Sequence, residues 1–290
     1  MSDIGSTFRY FRKAKRMTLK QTSDGIVSVQ FLSRFEKNES DISLSNFLSL
    51  LKRINVDISE FKLLSEDLGD KSQQQFLAQY GDAYRKQNLV KLSELIDSQT
   101  KLYLNSDNIR HYHNVIILNQ RLKKIYGKPF DKEEAKVIFK YLLNSDEWQY
   151  YEVSLFGNST FFMNRSQIEN LSHTANKRSL RYDNLQVNSS NYALIMMNVI
   201  NLFFDQDYLE PIAPLIKDIE YKLSKHNYFY DKNHLNFIKG VYKIRIGQVD
   251  EGVELCQESI RLMSHFGASE VANILQLELE ALLLRINSEI

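Results

Sequence analysis

Three prolines and ten glycines are spread over 290 residues, and this scarcity of backbone breakers limits the fold more than any other feature. A turn-rich β-sandwich calls for Gly and Pro at every turn, about every 8–12 residues. A chain with so few breakers folds instead into long helices. Pro129 and Pro214 fall at or near expected helix starts, where the missing N–H does no harm. Hydrophobic residues make up 43% and charged residues 25%, which is enough for a packed core. The length suits two domains on a prior of roughly 100–200 residues each.

The pattern is not uniform along the chain. In the first 65 residues the apolar spacing predicts five short helices. The first runs from Ile4 to Arg16, with Ile4, Phe8 and Phe11 on one face. Thr18 caps a second over Leu19 to about Asp24, which Gly25 stops. Ser28 caps a third through about Lys37, with Leu32 and Phe35 inward. A fourth spans Ser45 to Ile54, and a fifth starts at Asp57 or Ser59 and ends near Leu64. The polar run Ser65–Gln75 reads as a linker, giving a head over 1–65, a linker over 66–75 and a second domain over 76–290.

Beyond the linker the helices become longer, aromatic-rich and paired. Pairs are expected to start near Gln73, Asp107, Glu147, Asn188, Asp231 and Ala268, a separation of roughly 35–45 residues that suits a helical solenoid. The run GVYKIRIGQVDEGVELCQESIRL carries Gly240, Tyr242, Gly247, Gly252 and Ile260. Small residues there let two antiparallel helices approach, and Gly247 stands where a helix must end. This resembles a tetratricopeptide-type repeat, with Gly252 where that pattern prefers Ala.

Charge is unevenly distributed. The whole chain has a net charge of +1. Residues 1–37 hold eight Lys/Arg against three acids, a local excess of +5 that suits phosphate contacts. Catalytic signatures are missing. His111 and His113 are two residues apart and face different sides of a helix, so they cannot share a metal. His173, His226, His234 and His265 have no ligand partner at zinc spacing. Neither Gly-rich phosphate motif is present, and Glu133-Glu134 reads as a solvated first turn. Cys256, the single cysteine, reads as a buried filler in a reducing compartment. No enzyme activity, metal or cofactor is expected. With no signal peptide or membrane span in the pattern, the expected location is the cytoplasm.

The run VSVQFLSRFEKNES (Val27–Ser40) resembles the helix-turn-helix core of the Xre/phage-repressor family. The resemblance lies in Ser28, Gln30, Leu32, Ser33, Arg34 and Glu36, followed by Lys37 and Asn38. The second helix departs from the family: Leu19 stands for a usual Gln, Thr22-Ser23 for a usual Leu-Ala, and the turn reads one residue short. A recognition helix places short polar side chains at its N-terminal end against base edges. Ser28, Gln30 and Arg34 are therefore expected to read bases, since Gln suits adenine and Arg suits guanine. Lys13, Arg16, Lys20, Lys37 and Asn38 are expected to meet phosphates. The resemblance further implies a structural ion pair between Arg12 and Glu36.

The two-part layout, with SRFEKNES and EWQYYEVSLFGN (Glu147–Asn158), resembles the Rgg/RNPP quorum-sensing regulators. That resemblance implies an all-α chain: a five-helix Xre-type head, then an α-solenoid of tetratricopeptide-like hairpins. It implies a homodimer on a palindromic double-stranded DNA operator, controlled by a short hydrophobic signalling peptide in the solenoid's concave groove. Asn and Gln suit an extended backbone because they donate and accept at once. Expected groove residues are Tyr84, Arg85, Asn119, Tyr150, Tyr151, Asn158, Asn191, Asn198 and Asn201. Two other classes stay open: a peptide-sensing interaction module that binds no DNA, and a helical enzyme of phosphatase type. The basic head opposes the first, and the lack of a spaced carboxylate cluster opposes the second.

Overall fold

The computed structural model describes residues 4–65, 71–179, 186–225 and 227–289. Every element among them is helical. The chain divides into two compact units, Met1–Leu95 and Ile96–Ile290.

The first unit opens with five short helices, α1 (Ile4–Ala14), α2 (Leu19–Ser23), α3 (Val29–Phe35), α4 (Leu44–Arg53) and α5 (Ile58–Leu64). Local capping explains their starts. The side chains of Thr18, Ser28, Ser43 and Asp57 each accept a backbone N–H of the first turn that follows. Helix α1 ends at Ala14, two residues earlier than expected, because Arg16 turns left-handed at φ 55°. Helix α3 ends at Phe35, because Asn38 adopts φ 59° and the Asn38 and Glu39 amides close back onto Phe35 and Arg34. Helix α4 begins one residue before the expected Ser45, because Ser43 provides the cap. An aromatic cluster holds the five helices together: Phe47 meets Phe61 edge-on at 5.0 Å, and Phe8 lies 5.9 Å from Phe35.

The expected linker over 66–75 is helical from residue 71 onward, since α6 spans Lys71–Arg85. Its polar composition hides an apolar stripe. Phe76, Tyr80 and Ala83 are buried at helical spacing, and the first two rings stack at 6.1 Å.

From α6 the helices alternate as pairs. They continue with α7 (Leu89–Ser106), α8 (Ile109–Ile125), α9 (Lys132–Asn144), α10 (Tyr150–Ser159) and α11 (Arg165–Ser179). The chain finishes with α12 (Gln186–Asp205), α13 (Ile212–Ser224), α14 (Phe229–Arg245), α15 (Val249–His265) and α16 (Ser269–Glu289). The first helices of successive pairs pack side by side, α8 on α10, α10 on α12 and α12 on α14. Pro214 lies in the first turn of α13, and Pro129 precedes the Asp131 cap of α9.

The α14–α15 hairpin is the tightest contact, and its glycines explain it. A Cβ on Gly252 would sit 2.6 Å from the Gly240 carbonyl, and one on Gly240 would sit 2.7 Å from the Gly252 carbonyl. The repeat pattern's Ala does not fit where the opposite position has already brought backbone to backbone. Gly247 turns the chain at φ 89°. Cys256 is buried beside Gly240, with its thiol toward the Phe237 carbonyl. Burial pushes this thiol up to about 12, so it stays a neutral filler.

Trp148, within the EWQYYEVSLFGN tract, is fully buried and donates from Nε1 to the Leu142 carbonyl at 3.1 Å. Arg178 donates to the Leu143 and Ser145 carbonyls at 2.6 and 2.7 Å. Together they close the C-terminal end of α9 against α11, satisfying carbonyls that the helix leaves open.

Candidate functional site

The head presents α3 as a short, exposed element with a buried back. Leu32 and Phe35 point into the core, and Gln30 and Arg34, one turn apart, are exposed. Ser28 accepts the Phe31 N–H at 3.1 Å, so its hydroxyl oxygen already has a capping role at the N-terminal end of the helix. Lys13, Arg16, Lys20 and Lys37 are all exposed.

The helix is fixed from behind by an ion pair. Arg12 reaches Glu36 through Nε at 2.5 Å and Nη2 at 2.7 Å, and Nη1 meets the Met17 carbonyl at 2.5 Å. Both side chains are under a tenth exposed. A fork-on-carboxylate pair of this kind fixes angle as well as distance, which locks α1 to the end of α3.

Asn38, expected at a phosphate, has a structural bond through its amide oxygen. Its Oδ1 accepts the Gly5 and Ser6 amides at 2.8 and 3.3 Å, capping α1. Gly5 packs so closely on the Phe35 carbonyl that any Cβ would overlap it. The left-handed backbone aims the Asn38 side chain across to α1 rather than outward.

Two departures in the second helix are absorbed locally. Thr22 and Ser23 are buried at the positions where the family pattern has Leu and Ala, but their hydroxyls bond to the Thr18 and Lys20 carbonyls beside them. The turn from Asp24 to Ser28 contains Gly25 at φ 70°. Sequence reasoning missed Arg53 at the end of α4. It donates to the Gln21 and Asp24 carbonyls at 3.0 and 2.9 Å, holding the C-terminal end of α2. An exposed arginine has no spacing rule that would reveal such a partner.

The expected groove residues separate into two groups. Several are engaged inside the fold. Asn119 donates to Glu134 at 2.8 Å, beside Gln120, which also bonds Glu134. Asn158 donates to the Ser154 carbonyl in its own helix, and Asn191 to the Ser154 hydroxyl at 3.2 Å. Tyr84 is half-buried near Tyr80, whereas Arg85 is exposed, 3.7 Å from Asp82 on its own helix. Tyr151 hydrogen-bonds the His113 Nδ1 at 2.7 Å. Tyr150, Asn198 and Asn201 are exposed too.

The His113 cluster was not foreseen. His113 is buried, its ring lies 4.7 Å from Tyr141, and Tyr141 donates to Glu152 at 2.9 Å. Burial lowers His113 to about 4, so it is neutral near pH 7. Burial, aided by the Glu152 hydrogen bond, pushes Tyr141 up to about 12. Among the described residues no group of three or more His, Cys, Asp or Glu could hold a metal. No described helix is long and apolar enough to cross a membrane.

A family model for the C-terminal domain of the HTH-type transcriptional regulator Rgg matches residues 89–277, more than half of the chain. The chain belongs to the Rgg family of transcriptional regulators. A helix-turn-helix model matches residues 8–61, the segment that holds the exposed α3 and the Arg12–Glu36 pair. Among solved structures, the SHP pheromone receptor Rgg2 of Streptococcus dysgalactiae is 24% identical, covers 96% of this chain and 99% of its own, and gives a TM-score of 0.79. A candidate transcriptional regulator from Listeria monocytogenes EGD-e is 21% identical, covers 98% of both chains and gives 0.86. PrgX in complex with cCF10 is 13% identical, covers 98% of this chain and 93% of its own, and gives 0.74. At these identities the likeness is one of fold: an all-α chain with a helix-turn-helix head followed by helical repeats. In this Rgg-family chain the exposed face of α3 lies within the segment that the helix-turn-helix model matches.

Proposed function

We propose that this Rgg-family regulator reads a palindromic operator as a homodimer and is controlled by a short hydrophobic signalling peptide held by its helical repeats. Residues 1–65 act as the DNA head, and the repeats from residue 76 onward bind peptide and dimerise. Ser28, Gln30 and Arg34 read base edges, and Lys13, Arg16, Lys20 and Lys37 meet phosphates. Tyr150, Asn198 and Asn201 are the groove residues left free to face an extended backbone. The protein works in the cytoplasm, and no catalytic step is assigned to it.

One observation carries the reading of DNA. Gln30 and Arg34 stand exposed one turn apart on a helix whose back is fixed by the buried Arg12–Glu36 pair. Rigid presentation of two bidentate side chains is what base readout requires. Control by peptide draws support from the neighbours of the same fold, one named a pheromone receptor and another solved with cCF10. The peptide would act by binding one arrangement of the dimer better than another.

Capture of sheared genomic DNA by the purified protein at about 150 mM salt tests this, with Gln30→Ala/Arg34→Ala in parallel, since phosphate contacts alone weaken steeply with salt. The expected result is a few related palindromic sites for the wild type and none for the variant. Uniform enrichment by both proteins would mean that α3 does not read sequence.

A further inference from the structure

Helices α12, α14 and α16 line an open-sided cavity of about 390 Å³ in the second unit. Its floor is apolar, formed by Phe204, Phe237, Ile238, Val241 and Leu282. Its rim is charged. Asp205 comes from α12 and Glu278 from α16, and both are exposed. Neither carboxylate has a hydrogen-bond or ion-pair partner among the described residues. Loss of water on the cavity side, together with the charge of Asp205, pushes the Glu278 carboxyl up. Arg245 on the same wall is already taken: its Nη2 reaches the Phe204 carbonyl and Asp207, both at 2.8 Å. Arg285 on α16 is a second cation in the lining and is likewise engaged, and His234 completes the polar lining, where burial lowers it against the opposing charge of Asp231.

Two unpaired carboxylates beside an apolar floor repel each other when the cavity is empty. The same arrangement complements a guest that brings a large apolar side chain with a positive charge next to it. The side chain takes the floor out of water, and the charge pairs with carboxylates that the engaged Arg245 and Arg285 leave unpaired.

We propose that this cavity receives a positively charged group of the peptide, an N-terminal ammonium or a Lys or Arg side chain, next to a bulky apolar residue, with Asp205 and Glu278 as its counter-charges. The inference rests on the peptide-control reading above and adds a position to it: the charged group lies between Asp205 of α12 and Glu278 of α16.

The test uses full-length protein and two synthetic random octapeptide libraries, one with free N-termini and one acetylated. Retained peptides are identified by mass spectrometry for the wild type and for Asp205→Asn/Glu278→Gln, whose exposed positions leave the fold intact by circular dichroism. The wild type is expected to retain peptides with a positive charge beside a large apolar residue. If the group is the terminal ammonium, acetylation removes those that lack Lys or Arg; if it is a side chain, the acetylated library still yields Lys- or Arg-containing peptides. In either case the double variant retains the charged peptides about three- to ten-fold less, the range for one or two partly exposed ion pairs. Peptides retained by the wild type with no preference for positive charge, or retention that the double substitution leaves unchanged, overturn the inference while peptide control stands. Failure of the wild type to retain any peptide from either library overturns both.

Discussion

Arg12 and Glu36 are both buried, so each is tolerated only because of the other. Removing one partner leaves an uncompensated charge in the core, at a cost of about 3–5 kcal/mol. Arg12→Ala and Glu36→Ala are each expected to lower the denaturation midpoint of the head in urea titrations. The apolar pair Arg12→Met/Glu36→Leu should recover most of that loss, because no charge then remains to desolvate. His113 makes a different prediction. Its folded value of about 4 lies below the ordinary 6.5, so the unfolded chain takes up the proton first as pH falls. The stability it contributes is full above pH 6.5 and is lost as pH drops toward 4, a loss of at most about 3 kcal/mol. Melting temperatures measured from pH 7 to pH 4 should fall less steeply for His113→Gln than for the wild type; equal slopes would remove His113 from the acid response.

Among the elements, α14 and α15 depend on two glycines that face each other. Gly240→Ala or Gly252→Ala puts a methyl group within 3 Å of an opposing backbone carbonyl. Backbone cannot yield as a side-chain tip can, so each substitution is expected to cost about 1–3 kcal/mol. Thermal denaturation of the two variants checks this, and an unchanged melting temperature would mean the hairpin can open without penalty. Helix α3 is short enough that its cap matters. Ser28→Ala removes the acceptor of the Phe31 N–H and should cost about 1 kcal/mol. DNA affinity should fall further than stability if the hydroxyl also meets a base, which parallel binding and unfolding measurements on Ser28→Ala separate from a purely capping role.

Across the chain as a whole, a net charge of +1 conceals a local excess of +5 in the first 37 residues. DNA affinity is therefore expected to depend on salt through the head alone. Neutralising Lys13, Arg16, Lys20 or Lys37 singly should reduce the slope of log K against log salt by about one, because one phosphate then keeps its counterion. Gln30→Ala should leave that slope unchanged and narrow the gap between operator and random DNA. Fluorescence anisotropy at several salt concentrations distinguishes the two behaviours. The Asp205 and Glu278 variants, far along the chain from the head, should leave both the slope and the gap intact when no peptide is present.

Residue order was sufficient for whatever depends on neighbours three or four positions away. Helix spacing, the caps at Thr18, Ser28 and Asp57, and the turn at Gly247 are short-range, so the groups involved lie within a turn of each other along the chain. The α6 helix was expected from near Gln73, and only its first residues, inside the polar run assigned to the linker, were not. The Arg12–Glu36 pair, 24 residues apart, was legible only through family resemblance. Tertiary packing had to choose which distant group each polar side chain meets. Asn38 caps α1, Arg53 holds α2, Asn119 turns to Glu134, His113 finds Tyr151, and Asp205 and Glu278 come to share one cavity. An exposed amide or carboxylate on a helix offers the same chemistry in every direction, and only the packing of one helix on another chooses its partner.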